Sequence, residues 1–208
     1  MLHKLPSLLQ QQIEAGISTL GRGGVVAFPT DTVYGLGAAA DIPQAIEKIY
    51  QVKQRAHDKA LPLLLEDISQ ISEVACRVSE TAWLLARTFL PGALTLVLPK
   101  SDSVLDIISG GGQTVAVRVP AHAIPVALVN GLGMPIVGTS ANISGHPSPL
   151  TADEVRDQFG DKIDLIIDGG RCPGGKESTV VDVTGEVPLI LREGAIPRKA
   201  LEEVCQVI

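Results

Sequence analysis

The sequence predicts a single α/β (α+β) domain built on a twisted, mixed parallel and antiparallel sheet flanked by helices. Three observations carry this. Apolar strand-like runs alternate with helix-patterned stretches early in the chain, and strand-like runs cluster late. No repeat, low-complexity tract or clear linker divides the 208 residues, so 1–208 read as one unit. The balance of 45% hydrophobic to 19% charged residues is that of a globular chain with a sizeable core.

The elements follow in order. Leu8, Leu9, Ile13, Ile17 and Leu20 recur at helical spacing over Ser7–Leu20, and Gly21 is the stop. GVVAF (24–28) is a buried strand. A helix over 41–53 presents Ile42, Ala45, Ile46, Ile49 and Val52 inward, with Asp41 as its cap. Residues 53–59, KQRAHDK, form a polar loop, and PLLL (62–65) a short strand. Residues 69–90 read as helical, with Ser79 an internal cap and Pro91-Gly92 the stop. Strands at 94–98 and 114–119 flank a loop holding Gly110, Gly111 and Gly112. A helix over 122–133 and a strand at 135–138 follow. Thr151 with Glu154 has the capping-box spacing and opens another helix. Strands are expected at 164–168, 179–183 and 188–192, and a final helix from Pro197 to Ile208.

Composition narrows the function classes. Aromatics are 3% and the net charge is −6, which argues against base-stacking modules and an overall basic field for nucleic acid. A local basic cavity stays compatible with that charge, because Lys and Arg can converge in space. Cys76, Cys172 and Cys205 are odd in number and widely spaced, which suits reduced cytosolic thiols rather than a disulfide framework or a zinc site. The N-terminal stretch lacks a signal-peptide core and no run reaches membrane-span length, so a cytoplasmic protein is expected.

Several short motifs bear on chemistry. GGRCPGGKES (169–178) spaces Gly170, Gly175 and Lys176 like a phosphate-binding P-loop, but Glu177 stands where Ser or Thr should hold magnesium, and a strand follows where a helix should. That reading is rejected. GTSANISG (138–145) resembles a nucleophile elbow at Ser140, but Asn142 replaces the second glycine and none of His3, His57, His122 or His146 has a triad-like context. The segment is either a polar turn or a strand-end loop offering donors to an anion. Lys53, Arg55 and Lys59 form either a solvated charge run or a phosphate clamp. Arg118 lies inside the apolar strand TVAVRV, on the face of Thr114 and Ala116 and opposite Val115, Val117 and Val119. Arg192 ends PLILR. FPTDTVYGLG (28–37) leaves the first strand and at once sets out Thr30, Thr32 and Tyr34 among glycines.

FPTDTVYGLG, KQRAHDKALPLLL, PGALTLVLP, TVAVRVP, GTSANISG, ESTVVDV and LREGAIP occur in one order over residues 24–197. Together they make the chain resemble the YrdC/Sua5 family, the threonylcarbamoyl-AMP synthases, in its short single-domain form. The resemblance implies a YrdC-like mixed sheet around a concave basic cavity. It also implies a nucleotidyltransferase that makes threonylcarbamoyl-AMP and pyrophosphate from L-threonine, bicarbonate or CO2, and ATP. The product would serve N6-threonylcarbamoyladenosine formation at position 37 of tRNA, with separate proteins performing the transfer. By the same resemblance, Thr32, Arg118, Ser178, Thr30 and Tyr34 bind threonine, with Arg118 on its carboxylate. Lys53, Arg55, Lys59, Thr114, Ser140, Asn142 and Arg192 bind ATP, with Lys53, Arg55 and Lys59 stabilising charge. No protein nucleophile is implied, and Mg2+ would arrive on the phosphates. Some relatives carry proline where Ala60 stands and histidine where Leu64 stands, so one threonine contact is absent here or supplied otherwise. An RNA- or tRNA-binding module, or a regulatory paralogue without synthase activity, is the alternative.

Overall fold

A computed structural model describes residues 6–208; residues 1–5, with His3 and the start of the 1–208 unit, lie outside the described residues. Helix α1 (Ser7–Gly21) buries Ile13, Gly16 and Leu20. Strand β1 (Val26–Phe28) is fully buried, and β2 (Gly35–Ala39) pairs with it antiparallel. The sequence reading did not assign β2, because GLGAA has no β-branched or aromatic residue. Packing makes it a strand. The Phe28 ring lies on the backbone of Gly35 and Gly37, and a Cβ at either would come within 2.9 Å of it.

Helix α2 (Pro43–Lys53) starts with proline in its first turn and has no side-chain cap bond, so Ile42, not Asp41, takes the cap position. The left-handed Gln54 (φ 51°) ends it beside Lys53. After β3 (Leu63–Leu64), the helix expected over 69–90 breaks in two. A 3-10 turn (Ile68–Gln70) leads into α3 (Ile71–Val74), and α4 is Glu80–Phe89. Between them Ala75 is extended and bridges Lys100, and Ser79 caps α4 by accepting from Ala82 N at 3.1 Å. Then come β4 (Leu94–Pro99), the short α5 (Asp106–Ser109), β5 (Thr114–Arg118), α6 (Ala123–Leu132) and β6 (Ile136–Ser140). Thr151 caps α7 (Ala152–Phe159) as expected, though Glu154 reaches back to Leu150 N rather than to Thr151. β7 (Leu165–Ile166), β8 (Thr179–Asp182), β9 (Leu189–Arg192) and α8 (Arg198–Glu202) complete the chain. The last helix stops well before Ile208, whose backbone instead pairs with Pro188 and Ile190 beside β9.

The strands form one nine-stranded mixed sheet in the order β7-β1-β2-β6-β3-β5-β4-β8-β9. β1–β7, β3–β5 and β4–β8 are parallel, and the other pairs are antiparallel. Strand alternation divides the core between the two faces. Ala27, Leu36, Leu63, Val115, Val117, Val137 and Val181 join the larger core, under α2, α4 and α7. Val26, Phe28, Leu64 and Ile136 point the other way, into a smaller core with α1 and α6. Each fully buried aliphatic side chain stabilises this arrangement by about 1.5–3 kcal/mol. The smaller core draws residues from β1, β3 and β6 but none from β4, β5, β8 or β9. Helices therefore cover only half of that face, and the polar face of β5 lies on the half left open.

Candidate active site

That open half holds a recess of about 520 Å³, partly open to solvent. Seven segments of the chain reach it. The loop after β1 brings Thr30, Thr32 and Tyr34, and β3 brings Leu64. β4 and β5 bring Thr95 and Arg118, the end of β6 brings Ser140, and the edge of β8 and β9 brings Glu177, Ser178 and Arg192.

Arg118 is 8% exposed, so its charge must be met by protein groups. Its Nε donates to Gly92 O at 2.9 Å, Nη1 to Thr32 Oγ1 at 3.0 Å and Nη2 to Asp31 Oδ1 at 2.8 Å. Asp31 also accepts from Ala121 N at 3.1 Å, which fixes the carboxylate against the end of β5. Burial lowers the Arg118 pKa and Asp31 opposes that shift. A guanidinium has five N–H groups; three are used here, and the remaining two are what one bidentate carboxylate takes.

The hydroxyls can be assigned directions. Thr30 Oγ1 donates its single proton to Val33 O at 2.7 Å. In the 2.9 Å contact between Thr30 and Thr32, Thr32 must then be the donor. Thr32 Oγ1 already accepts from Arg118, so toward a ligand it is an acceptor only. Tyr34 belongs to the lining of the recess, while its hydroxyl donates to Gly170 O at 2.9 Å and burial raises its pKa far above the usual value.

On the opposite wall, Arg192 donates through Nε and Nη2 to Ser178 O at 3.1 and 2.8 Å, and Nη2 also lies 3.3 Å from Ser178 Oγ. Ser178 Oγ is 2.8 Å from Thr95 Oγ1. Thr179 Oγ1 accepts from Gly194 N at 2.9 Å and Ile196 N at 3.0 Å, tying the LREGAIP loop to the EST segment.

The remaining candidates stand back from the recess. Lys53 is 1% exposed, and its ammonium donates to Ser140 O and Asn142 O, both at 2.5 Å, with Asn142 Oδ1 at 3.5 Å. Burial, reinforced by Arg55, pulls its pKa down to about 7, while the carbonyls favour the charged form. Asn142 accepts from Ser140 Oγ at 2.5 Å and donates to Ile143 O and His146 O. Lys53 and Asn142 thus form the scaffold behind Ser140. Arg55 donates to Lys59 O at 3.2 Å and Ala60 O at 2.9 Å. Arg118 and Arg192 both line the recess and Arg55 does not, although the charge of Arg192 lowers the pKa of Arg55 as well as that of Arg118. Lys59 is exposed, and Thr114 is half-buried at the far end of β5.

Sequence reasoning missed Asp31, Thr95 and Glu177. Asp31 sits inside the hydroxyl cluster already quoted, and Thr95 is a polar residue within an apolar strand, the same signal that marked Arg118. Glu177 was noticed only as the residue that spoils a P-loop.

His122 caps α6, its Nδ1 accepting from Ile124 N at 3.2 Å. Burial holds its pKa below the usual 6.5, partly offset by Asp31. The unfolded chain takes up this proton more readily, so stability is full above pH 6.5 and falls as pH drops below it. With a cap contributing about 1 kcal/mol, the melting midpoint should fall by roughly 2–4 °C as the pH is lowered. His122→Asn keeps an acceptor without titrating, and a flattened pH profile in that variant checks the assignment.

Fold and recess define a class: a mixed-sheet α/β protein whose half-open sheet face presents arginines and hydroxyls to one recess. The Sua5_yciO_yrdC family model, described as "Telomere recombination", matches residues 18–194, and the chain belongs to this family. It is 46% identical over 193 residues to the threonylcarbamoyl-AMP synthase of Pyrococcus abyssi, covering 93% of this chain and 56% of that protein. It is 38% identical over 190 residues to the threonylcarbamoyl-AMP synthase of Vibrio vulnificus, covering 90% of this chain and 99% of that one. A crystal structure of P. abyssi Sua5 complexed with L-threonine superposes with a TM-score of 0.91 at 44% identity, over 94% of this chain and 58% of that chain. E. coli YciO superposes with a TM-score of 0.84 at 30% identity, over 92% and 93% of the two chains. The chain thus spans little more than half the length of the Pyrococcus relative. Among the described residues no helix is long and apolar enough to cross a membrane.

Proposed function

We propose that this chain is a nucleotidyltransferase that forms L-threonylcarbamoyl-AMP and pyrophosphate from L-threonine, bicarbonate or CO2, and ATP. The observation that carries the reading is Arg118. Its two unpartnered N–H groups belong to a recess that also presents Thr32 as an acceptor and Arg192 as a second cation. A zwitterion with a hydroxyl offers what these groups lack: a carboxylate for the fork and an N–H or O–H for Thr32.

In this reading the threonine amine, once deprotonated, attacks the carbon of CO2. The new C–N bond forms as one C=O electron pair moves onto oxygen, and the second N–H proton passes to water. A carbamate oxygen then attacks the α-phosphorus of ATP, the bond from that phosphorus to the bridging oxygen breaks, and pyrophosphate leaves with the electron pair. Both partners in the second step are anions, so catalysis rests on positioning and charge stabilisation rather than on a protein nucleophile. Arg192, Arg55 and Lys59 would face the nucleotide with Ser140 and Thr114, while Lys53 and Asn142 hold the loop that presents Ser140. Thr30 and Tyr34 would shape the threonine pocket, and Ser178 would contact the amino acid. Magnesium enters on the phosphates as part of the substrate. The adenylate would pass to separate proteins that transfer it to tRNA in the cytoplasm, and residues 1–208 would act as one unit.

The test mixes purified protein with ATP, bicarbonate and each amino acid in turn, and measures pyrophosphate and the adenylate by mass spectrometry. Pyrophosphate release that requires both threonine and bicarbonate is expected. Release indifferent to threonine contradicts the reading. So does salt-dependent tRNA binding without any adenylate formation, which favours an RNA-binding module.

A further inference from the structure

Glu177 is the single carboxylate lining the recess among the described residues. An acid there runs against the rest of the wall, where Arg118 and Arg192 would meet an anionic ligand. Ser148 Oγ donates to its Oε1 at 2.5 Å, which anchors one side of the carboxylate. Among the described residues Ser148 is the one side chain that hydrogen-bonds this carboxylate, which also meets its own backbone N–H and lines the recess. The Ser148 bond, helped by Arg192 and Lys176, keeps the side chain ionised by holding its pKa below the usual value. Arg192 does not neutralise it by contact, being engaged with Ser178.

The segment carrying Glu177 packs directly on the threonine-rich loop. Gly175 N donates to Thr32 O at 2.9 Å, and a Cβ at Gly174 would lie 2.6 Å from Asp31 O and 2.9 Å from Thr32 Cα. The carboxylate is therefore built into the wall that also positions Thr32 and, through Asp31, Arg118. The recess offers a two-donor fork and a fixed anion, a pairing that an amino-acid zwitterion complements and a simple carboxylate does not.

We propose that Glu177 is a specificity-determining residue that receives the α-ammonium group of the amino-acid substrate, with Arg118 receiving its carboxylate. The proposal rests on the amino-acid-activating function proposed above and adds how the amine end is recognised. Selection for an ammonium is then separate from selection for the side chain. A 2-deamino analogue such as 3-hydroxybutanoate, which keeps the carboxylate and the hydroxyl, should bind without help from Glu177.

Calorimetric titration of the nucleotide-free protein with L-threonine and with 3-hydroxybutanoate tests this. Glu177→Gln keeps an oxygen that can accept from Ser148 and removes the charge. Ser148→Ala removes the tether and keeps the charge. The expected result is a Kd for L-threonine raised about tenfold or more in Glu177→Gln, with the Kd for 3-hydroxybutanoate unchanged or lower, and a smaller effect on threonine in Ser148→Ala. Equal weakening of both ligands in Glu177→Gln would overturn the proposal, since that marks a structural role. Unchanged threonine affinity would overturn it as well. If the wild-type protein binds no L-threonine, the function proposed above falls, and this inference with it.

Discussion

Replacing Arg118 by alanine should lower kcat/KM for L-threonine by about 10²-fold or more, while ATP affinity changes little. The fork is the feature at stake. Three of its N–H groups are fixed by Gly92, Thr32 and Asp31, so the other two belong to a guanidinium held in one orientation before any ligand arrives. Arg118→Lys should recover little, because an ammonium supplies the charge without two parallel donors. Alanine also leaves Asp31 facing an empty site. The pair is largely buried, with side-chain exposures of 10% for Arg118 and 16% for Asp31. Removing one partner of such a pair costs about 3–5 kcal/mol, and the value here should sit at the lower end because Asp31 still accepts from Ala121 N and touches solvent. Arg118→Ala combined with Asp31→Ala should regain part of the lost stability and none of the threonine use. Steady-state kinetics with threonine and ATP varied separately, alongside thermal melting, distinguishes the two effects. Threonine kinetics unchanged in a folded Arg118→Ala protein would assign the arginine another role.

Gly194→Ala should be the most damaging single methyl group in the chain. A Cβ there would overlap the carbonyl oxygen of Glu177 and the backbone carbonyl of Ser178. Neither atom is the end of a flexible side chain, so the backbone must move. Gly194 is further pinned by its N–H to Thr179 Oγ1. Overpacking of this kind costs about 1–3 kcal/mol, a fall of roughly 2–12 °C in melting midpoint for a chain of this size. The shift also displaces Ser178, Glu177 and the anchor of Arg192, so amino-acid affinity should fall even at temperatures where the variant stays folded. Gly185→Ala is the control: its Cβ would meet nothing closer than 3.9 Å and its φ is not in the left-handed region, so it should change stability by less than about 0.5 kcal/mol.

How much of this was legible in the sequence follows from where the information is stored. Amphipathic spacing located α1 and α2, terminal glycines marked the end of α6 and the Thr151–Glu154 spacing marked the start of α7, because all of these signals are written locally. Arg118 was legible for a related reason: in strict alternation a guanidinium on the polar face of a β-strand must point at something. The strand GLGAA was not legible, since its pairing is imposed by Phe28 and by its neighbours β1 and β6 rather than by its own side chains. The break in the 69–90 helix was hidden for a similar reason, as Ala75 leaves the helix to bridge Lys100, a partner supplied by another part of the fold. Within the site, residue types and order suggested the cations and hydroxyls, but not which of them are engaged. Lys53 reads in KQR as either a solvated charge or a phosphate ligand; only in three dimensions do the Ser140 and Asn142 carbonyls claim its ammonium. Asp31 and Glu177 were overlooked because an acid next to a binding motif has no local signature; each gains meaning from a partner far away in the chain.

Threonylcarbamoyl-AMP synthesis in this chain requires side chains from separate segments to meet in one recess and hold an amino acid and a nucleotide together. A crystal structure of this protein with L-threonine and a non-hydrolysable ATP analogue tests that most directly. It should place the threonine carboxylate on Arg118 at about 2.8 Å, its amine toward Glu177, and the phosphates between Arg192 and Arg55. Threonine bound away from Arg118, or the nucleotide seated on a different face of the sheet, would contradict it.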